Sequence, residues 1–169
     1  MLRRLSLFAL ILLVTGCGFK LRGIIDMPLW LDNIAIVTQQ GHRDLAPMIK
    51  DQLQAYHRRV VSDPTQATYL LIIENDLSQQ LLTSVSSSTT PRQYQLIYTV
   101  QYSVVKTNGA PVISSNTVTI TRQLTVNNDR ILGSDSESAV IYREMHRDAV
   151  IQLINRLSKK STPLPFVAN

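Results

Sequence analysis

The side chains able to do covalent or metal chemistry are few, and most are badly spaced for it. Cys17 is the only thiol, so the chain can form no internal disulfide. His42, His57 and His146 are far apart, and none belongs to an HExxH pair. His146 falls among apolar positions, where a histidine is more often a tolerated boundary residue than a ligand. The serines between Ser84 and Ser88 have no G-x-S-x-G elbow around them. There is no phosphate-cradling loop, no dinucleotide fingerprint and no pair of carboxylates at a useful spacing. Tyr94, Tyr98 and Tyr102 repeat at the interval of one strand face, which suits a core or interface stripe better than a ligand cage. The expectation is a binding or assembly protein and not an enzyme, with no cofactor and no metal.

Cys17 draws its meaning from what precedes it. Arg3 and Arg4 form a positive start, Leu5 to Val14 is apolar except for Ser6, and the small residues Thr15 and Gly16 come just before the thiol. This is the pattern of a secretory signal, and it is too short for a membrane-spanning helix of about 20 apolar residues. Leu13-Val14-Thr15-Gly16-Cys17 resembles the bacterial lipobox. That resemblance implies a diacylglyceryl group on the Cys17 sulfur, cleavage after residue 16 and acylation of the new amine. Each buried methylene of such chains contributes about 0.8 kcal/mol, and more than one chain gives stable anchoring. Gly18 stands where the usual inner-membrane retention rule has an aspartate, which implies the outer membrane as destination.

Composition agrees with an exported, membrane-anchored domain. Removing the first 16 of 169 residues leaves 153, enough for one domain with its own core. The formal charge of +5 loses Arg3 and Arg4 with the signal, and the remaining +3 favours anionic partners without demanding them. No basic cluster is interleaved with aromatics, so nucleic acid is a poor candidate.

The elements that must position any site follow from periodicity. Residues 17–33 read as an extended lead-in, and Ile34 to Thr38 as a short strand between turn residues. Leu45, Met48, Ile49, Leu53 and Tyr56 share a helical face, which predicts a helix from Asp44 as N-cap to Arg59. Tyr69 to Leu77 predicts a strand buried in part on both faces, and the Ser/Thr tract from Leu82 to Pro91 a mobile hairpin loop. From Tyr94 to Val104 the even-numbered residues are all apolar, with Gln95, Thr99, Gln101 and Ser103 on the other side, as in an antiparallel strand with one wet face. Asn108-Gly109 marks a hairpin turn, and Val112 to Leu124 a fourth strand on which Arg122 shares the side of Val118, Ile120 and Leu124. After a loop from Asn127 to Asp135, a helix capped by Ser134 or Ser136 runs to Ser158 with a stripe from Tyr142 to Leu157. The fold expected is α+β, two helices packed on one face of a four-stranded sheet in the order β-α-β-β-β-α. A single domain spans 34–160, followed by a loose tail at 161–169.

Cys17-Gly18-Phe19-Lys20-Leu21-Arg22-Gly23 resembles the start of the mature LPS-assembly lipoprotein family LptE. Tyr94-Gln95-Leu96, Thr121-Arg122-Gln123, Tyr142-Arg143-Glu144-Met145 and Leu153-Ile154-Asn155-Arg156-Leu157 also look like that family. The resemblance covers nearly all of the mature chain. It implies a plug inside the β-barrel of LptD, help in assembling that barrel, delivery of lipopolysaccharide to the cell surface, and the same fold of two helices on four strands. It also implies lipopolysaccharide binding through basic loop residues near one end of the sheet. Family members often have a lysine just before the last helix, where this chain has Gly133-Ser134.

Lipid A carries phosphates, which arginine binds bidentately. Arg92, at the end of the Ser/Thr loop, and Arg130, in the loop before the last helix, are the first candidates, because adjacent loops can converge at one sheet end. Arg122 is a third, although its strand parity turns it toward the apolar side. Two other readings stay open at this level: a lipoprotein scaffold of some other outer-membrane envelope complex, and a lipid-anchored hydrolase with an unrecognised site.

Overall fold

The computed structural model describes residues 27–42, 44–84, 92–126 and 131–159, with the backbone alone at 84, 92 and 131–136. The elements run β1 (Ile34–Gln40), α1 (Leu45–Ala55), β2 (Tyr69–Ser84), β3 (Arg92–Lys106), β4 (Pro111–Val126) and α2 (Ile131–Ser158), with short 3-10 turns at Leu29–Leu31 and Pro64–Gln66. This is the expected α+β order. The strands lie as β1-β2-β3-β4, with β1 parallel to β2 and the other neighbours antiparallel.

Both helices cover one face. Leu45, Ile49 and Leu53 of α1 and Met145, Ala149, Val150, Leu153, Ile154 and Leu157 of α2 are buried against Leu71, Ile73, Leu96, Tyr98, Val100, Tyr102, Val104, Val118, Ile120 and Leu124 of the sheet. Even-numbered residues of β3 make the dry face, as their alternation requires. Met27, Trp30 and Leu31 of the lead-in join the same core, and Trp30 stacks edge-on against Tyr69 at 5.3 Å. Gly109, at φ 84°, supplies the left-handed residue of the β3–β4 turn, with its N–H donating to the Lys106 carbonyl.

Three boundaries differ from the sequence reading. α1 ends at Ala55, four residues early, because His57 adopts φ 57°. The N–H groups of His57 and Arg58 donate to the carbonyls of Gln54 and Leu53, the hydrogen-bond pair of a Schellman stop. Asp44 stands at the N-cap position but its side chain makes no capping bond. β2 does not end at Leu77: it continues through Leu82 to Ser84, because its partner β3 is long enough to pair with every turn of it. α2 begins at Ile131, so Gly133, Ser134 and Asp135 lie inside the helix and not in a loop before it.

One irregularity governs the rest. The β2–β3 register shifts between Ile73 and Asn75, so one extra residue enters β2 there. Leu71 and Ile73 face the helices before this bulge, whereas Asp76 faces them after it. The same shift turns Leu77 and Leu81 to the open face, where each is 49% exposed.

Candidate functional site

β1 stops opposite Asn75, while β2, β3 and β4 run on together to Ser84, Arg92 and Val126. The molecule thus has a broad four-stranded base and a three-stranded extension. On the helix side of the extension Leu96, Tyr98, Ile120 and Leu124 are buried, and Tyr94, Ile141 and Tyr142 pack at the margin. The other side is open and polar. Gln93, Gln101, Thr117, Thr119, Thr121, Gln123 and Thr125 are exposed there, and Gln95, Thr99 and Ser103 are half-buried. Gln101 donates to Ser115, and Ser115 to the Glu74 carboxylate at 2.6 Å.

Two of the arginines singled out from sequence, Arg92 and Arg122, lie on this extension. The Cα of Arg92 pairs with that of Val126 at its end. Arg130 lies outside the described residues, as does Cys17. Arg122 sits on the helix-covered side, where its guanidinium donates to Asp148 of α2 across a half-exposed gap. Two turns beyond, Arg156 donates to the Thr117 carbonyl and to Asn116. Both arginines clamp α2 to β4.

The feature that the sequence reading missed lies where the base meets the extension. The Asp76 carboxylate, only 1% exposed in its side chain, accepts from the Tyr98 hydroxyl at 2.5 Å, from the His42 amide at 2.9 Å and meets His42 Nδ1 at 2.9 Å. Burial pushes this carboxyl up, but the donors from Tyr98 and His42 together outweigh it and hold it below the ordinary range. Burial, reinforced by the adjacent Asp76, pushes the Tyr98 phenol far up, so it remains a donor. His146 stacks on Tyr98 at 4.3 Å and lies 5.7 Å from His42, and its Nε2 is buried with no hydrogen-bond partner among the described residues. Burial, followed by the nearby His42, pushes the His146 imidazole below its ordinary value and keeps it neutral. The network ties the β1–α1 turn to β2 and β3. Its one sequence signal is an aspartate soon after the apolar run Leu70 to Ile73 of the same strand.

The network has no nucleophile beside a base, and among the described residues no group of three or more His, Cys, Asp or Glu side chains is placed to hold a metal. No helix among those residues is long and apolar enough to cross a membrane. The arrangement suits docking: a rigid polar sheet face, a helix-backed extension and arginines at its borders.

Known proteins resemble this chain in sequence and in fold. The model of the LptE lipopolysaccharide-assembly family matches residues 31–157. The LPS-assembly lipoprotein LptE of Pectobacterium atrosepticum is 26% identical over 153 residues, covering 87% of this chain and 79% of its own. That of Yersinia enterocolitica is 30% identical over 149 residues, covering 87% and 70%. In fold, the chain is similar to lipoprotein B of Nitrosomonas europaea, with a TM-score of 0.70 at 23% identity over 83% of this chain and 90% of that one. It is also similar to a minor lipoprotein of Acinetobacter baumannii, with a TM-score of 0.65 at 17% identity over 78% and 93%.

Proposed function

This chain belongs to the LptE lipopolysaccharide-assembly family, and from that premise we propose that it is an outer-membrane lipoprotein that plugs an LptD-type β-barrel and assists lipopolysaccharide assembly at the cell surface. It is anchored through acyl chains on Cys17 after removal of residues 1–16, and it acts without catalysis.

The observation that carries this reading is the open sheet face. A four-stranded sheet normally buries one side and wets the other, but here the wet side is a broad field of threonine and glutamine with few charges. The lumen of a transmembrane barrel is polar, and amide and hydroxyl groups satisfy such a wall without the desolvation cost of buried ions. The lipid on Cys17 supplies the membrane hold, so the protein part is free to be polar.

We infer that lipopolysaccharide binding rests on Arg92, whose backbone pairs with Val126 at the end of the extension, and on Arg130, which follows Val126 closely in the chain. Arg122 is the weaker ligand candidate, since Asp148 already engages it. The test is purification of the full lipoprotein from its own outer membranes. The expected result is a large β-barrel retained at a fixed ratio, with acyl chains on Cys17 by mass spectrometry and none on a Cys17→Ala variant. Isolation with inner-membrane proteins alone, or acyl chains on that variant, would overturn the reading.

A further inference from the structure

The sheet guards its edges unequally. β4 starts on Pro111 and turns the charged Arg122 toward the helices, and β1 is only seven residues long. Proline, inward charge and short length all discourage a stray strand from pairing. A third edge begins where β1 ends. From Leu77 to Ser84, β2 bonds to β3 on one side, and among the described residues no strand lies on its other side.

That stretch, Leu77-Ser78-Gln79-Gln80-Leu81-Leu82-Thr83-Ser84, contains no charge and no proline. Its leucines are about half exposed, at 49% for Leu77, 49% for Leu81 and 48% for Leu82. Leu77 and Leu81 lie on the open face diagonal to Ile97, whose partner is Gln79, while Leu82 lies on the helix side opposite Tyr94. The bulge before Asn75 is what puts the leucines there. The result is a strip of backbone with no described strand beside it, flanked by apolar side chains on both faces and irregular only at a second bulge between Leu82 and Ser84.

We propose that the free edge of β2 from Leu77 to Ser84 receives one extended segment of the barrel partner as an added strand. The proposal rests on the barrel reading above. In a strand every second amide and carbonyl points away from its partner, and only another main chain matches that repeat; a sugar or phosphate does not. The eight residues span roughly 26 Å, the length of an ordinary strand. A closed barrel wall has no unpaired edge to offer, so the added strand comes from a loop that enters the lumen. A plug seated in a barrel has that chain within reach and not a second plug. The occupant needs apolar residues at alternate positions, to cover Leu77 and Leu81, and no proline where an N–H must donate.

The experiment compares amide exchange at single-residue resolution in the full lipoprotein alone and in its complex with the barrel, both in detergent. Every second amide from Leu77 to Leu82, before the second register shift, is expected to exchange fast in the free protein and at least tenfold more slowly in the complex. The intervening amides, bonded to β3, are slow in both. A Leu77→Lys, Leu81→Lys variant is expected to keep its melting temperature and to lose most of the barrel at equal expression; should it fail to fold, the wild-type exchange pattern decides. A retained barrel with unchanged exchange at these residues overturns the docking edge and leaves the barrel reading intact. Amides already slow in dilute free protein mean the chain's own residues fill the edge, and protection that grows with protein concentration means a second copy does; either overturns the proposal. Absence of any barrel removes the barrel reading and this proposal with it.

Discussion

Replacing Tyr98 by Phe removes a single oxygen from the core, and the structure sets both the cost and its pH dependence. Tyr98 is fully buried and its hydroxyl is one of the donors that offset the burial of the Asp76 carboxylate. A hydrogen bond to a charged group contributes about 1.5–3 kcal/mol, and the loss leaves a desolvated acceptor only partly satisfied. We expect a loss of about 2 kcal/mol at pH 7, which in a chain of this length lowers the melting temperature by about 4–8 °C. The pH signature separates this cause from simple repacking. In the wild type the Asp76 value is held below its ordinary 3.8, so its contribution is complete above that pH and is lost as pH falls through the lower folded value. In Tyr98→Phe, burial meets less opposition and the folded value rises. The difference between the two proteins is therefore largest near neutral pH and shrinks as pH falls through the variant's raised value toward the lower value of the wild type. Urea unfolding of the soluble domain at pH 7, 5 and 3 measures it. An equal cost at all three pH values, or a cost under about 0.5 kcal/mol at pH 7, would refute the account of Asp76 as a buried, donor-stabilised carboxylate.

Three other perturbations follow from the same geometry. His146 is held neutral, with a folded value below its ordinary 6.5, so stability is complete above about pH 6.5 and falls as pH drops through that value; His146→Leu is expected to flatten the change in melting temperature between pH 7.5 and 5.5. The Arg122–Asp148 pair is half exposed, so Arg122→Ala should cost less than about 1 kcal/mol, with the coupling to Asp148→Ala vanishing in high salt. Replacing Arg92 and Arg130 together by Glu should weaken lipopolysaccharide binding with little change in melting temperature, while wild-type binding weakens with added salt because exposed charges are screened beyond about 8 Å; undiminished binding by the double variant across that salt range excludes these arginines.

Where one physical rule dominated a stretch, the fold was legible in the residues. β3 buries a single face over its whole length, and its even-numbered apolar residues alternate without a break. The stripe of α2 and the Asn108-Gly109 turn were equally local. The departures arose where a non-local partner or a rare backbone state took over. Nothing in the residue type of His57 announces a left-handed stop, which usually takes glycine or asparagine. Leu82 to Ser84 look like loop until β3 pairs with them, and Gly133 weakens a helix on its own but sits within the first turns of α2.

The site divides along the same line. Cys17 can be proposed as a lipid attachment site from sequence, because the lipobox-like run before it is contiguous in the chain. The Asp76 network could not, because its donors come from positions 34 residues before and 22 residues after the aspartate. A strict two-residue repeat carried on from Leu71 and Ile73 would turn Leu77 and Leu81 inward and Asp76 outward; the extra residue near Glu74 reverses all three. This one irregularity thus does two jobs. It brings a carboxylate into the core, where Tyr98 and His42 fix the junction between base and extension, and it puts leucines on an edge that the extension would otherwise keep polar. A protein selected only for stability gains nothing from either change, since a leucine in place of Asp76 would bury more area without desolvating a charge. The bulge is better explained by the need for a rigid extension with an adhesive edge. Deleting Glu74 should remove the bulge yet keep Asn75 opposite Gln101 and Asp76 opposite Val100, so Asp76 stays inward, Leu77 and Leu81 stay on the open face, and the barrel is expected to be retained. A deletion variant that keeps its melting temperature and its exposed leucines but loses the barrel would tie docking to the bend of the bulge and not to Leu77 and Leu81.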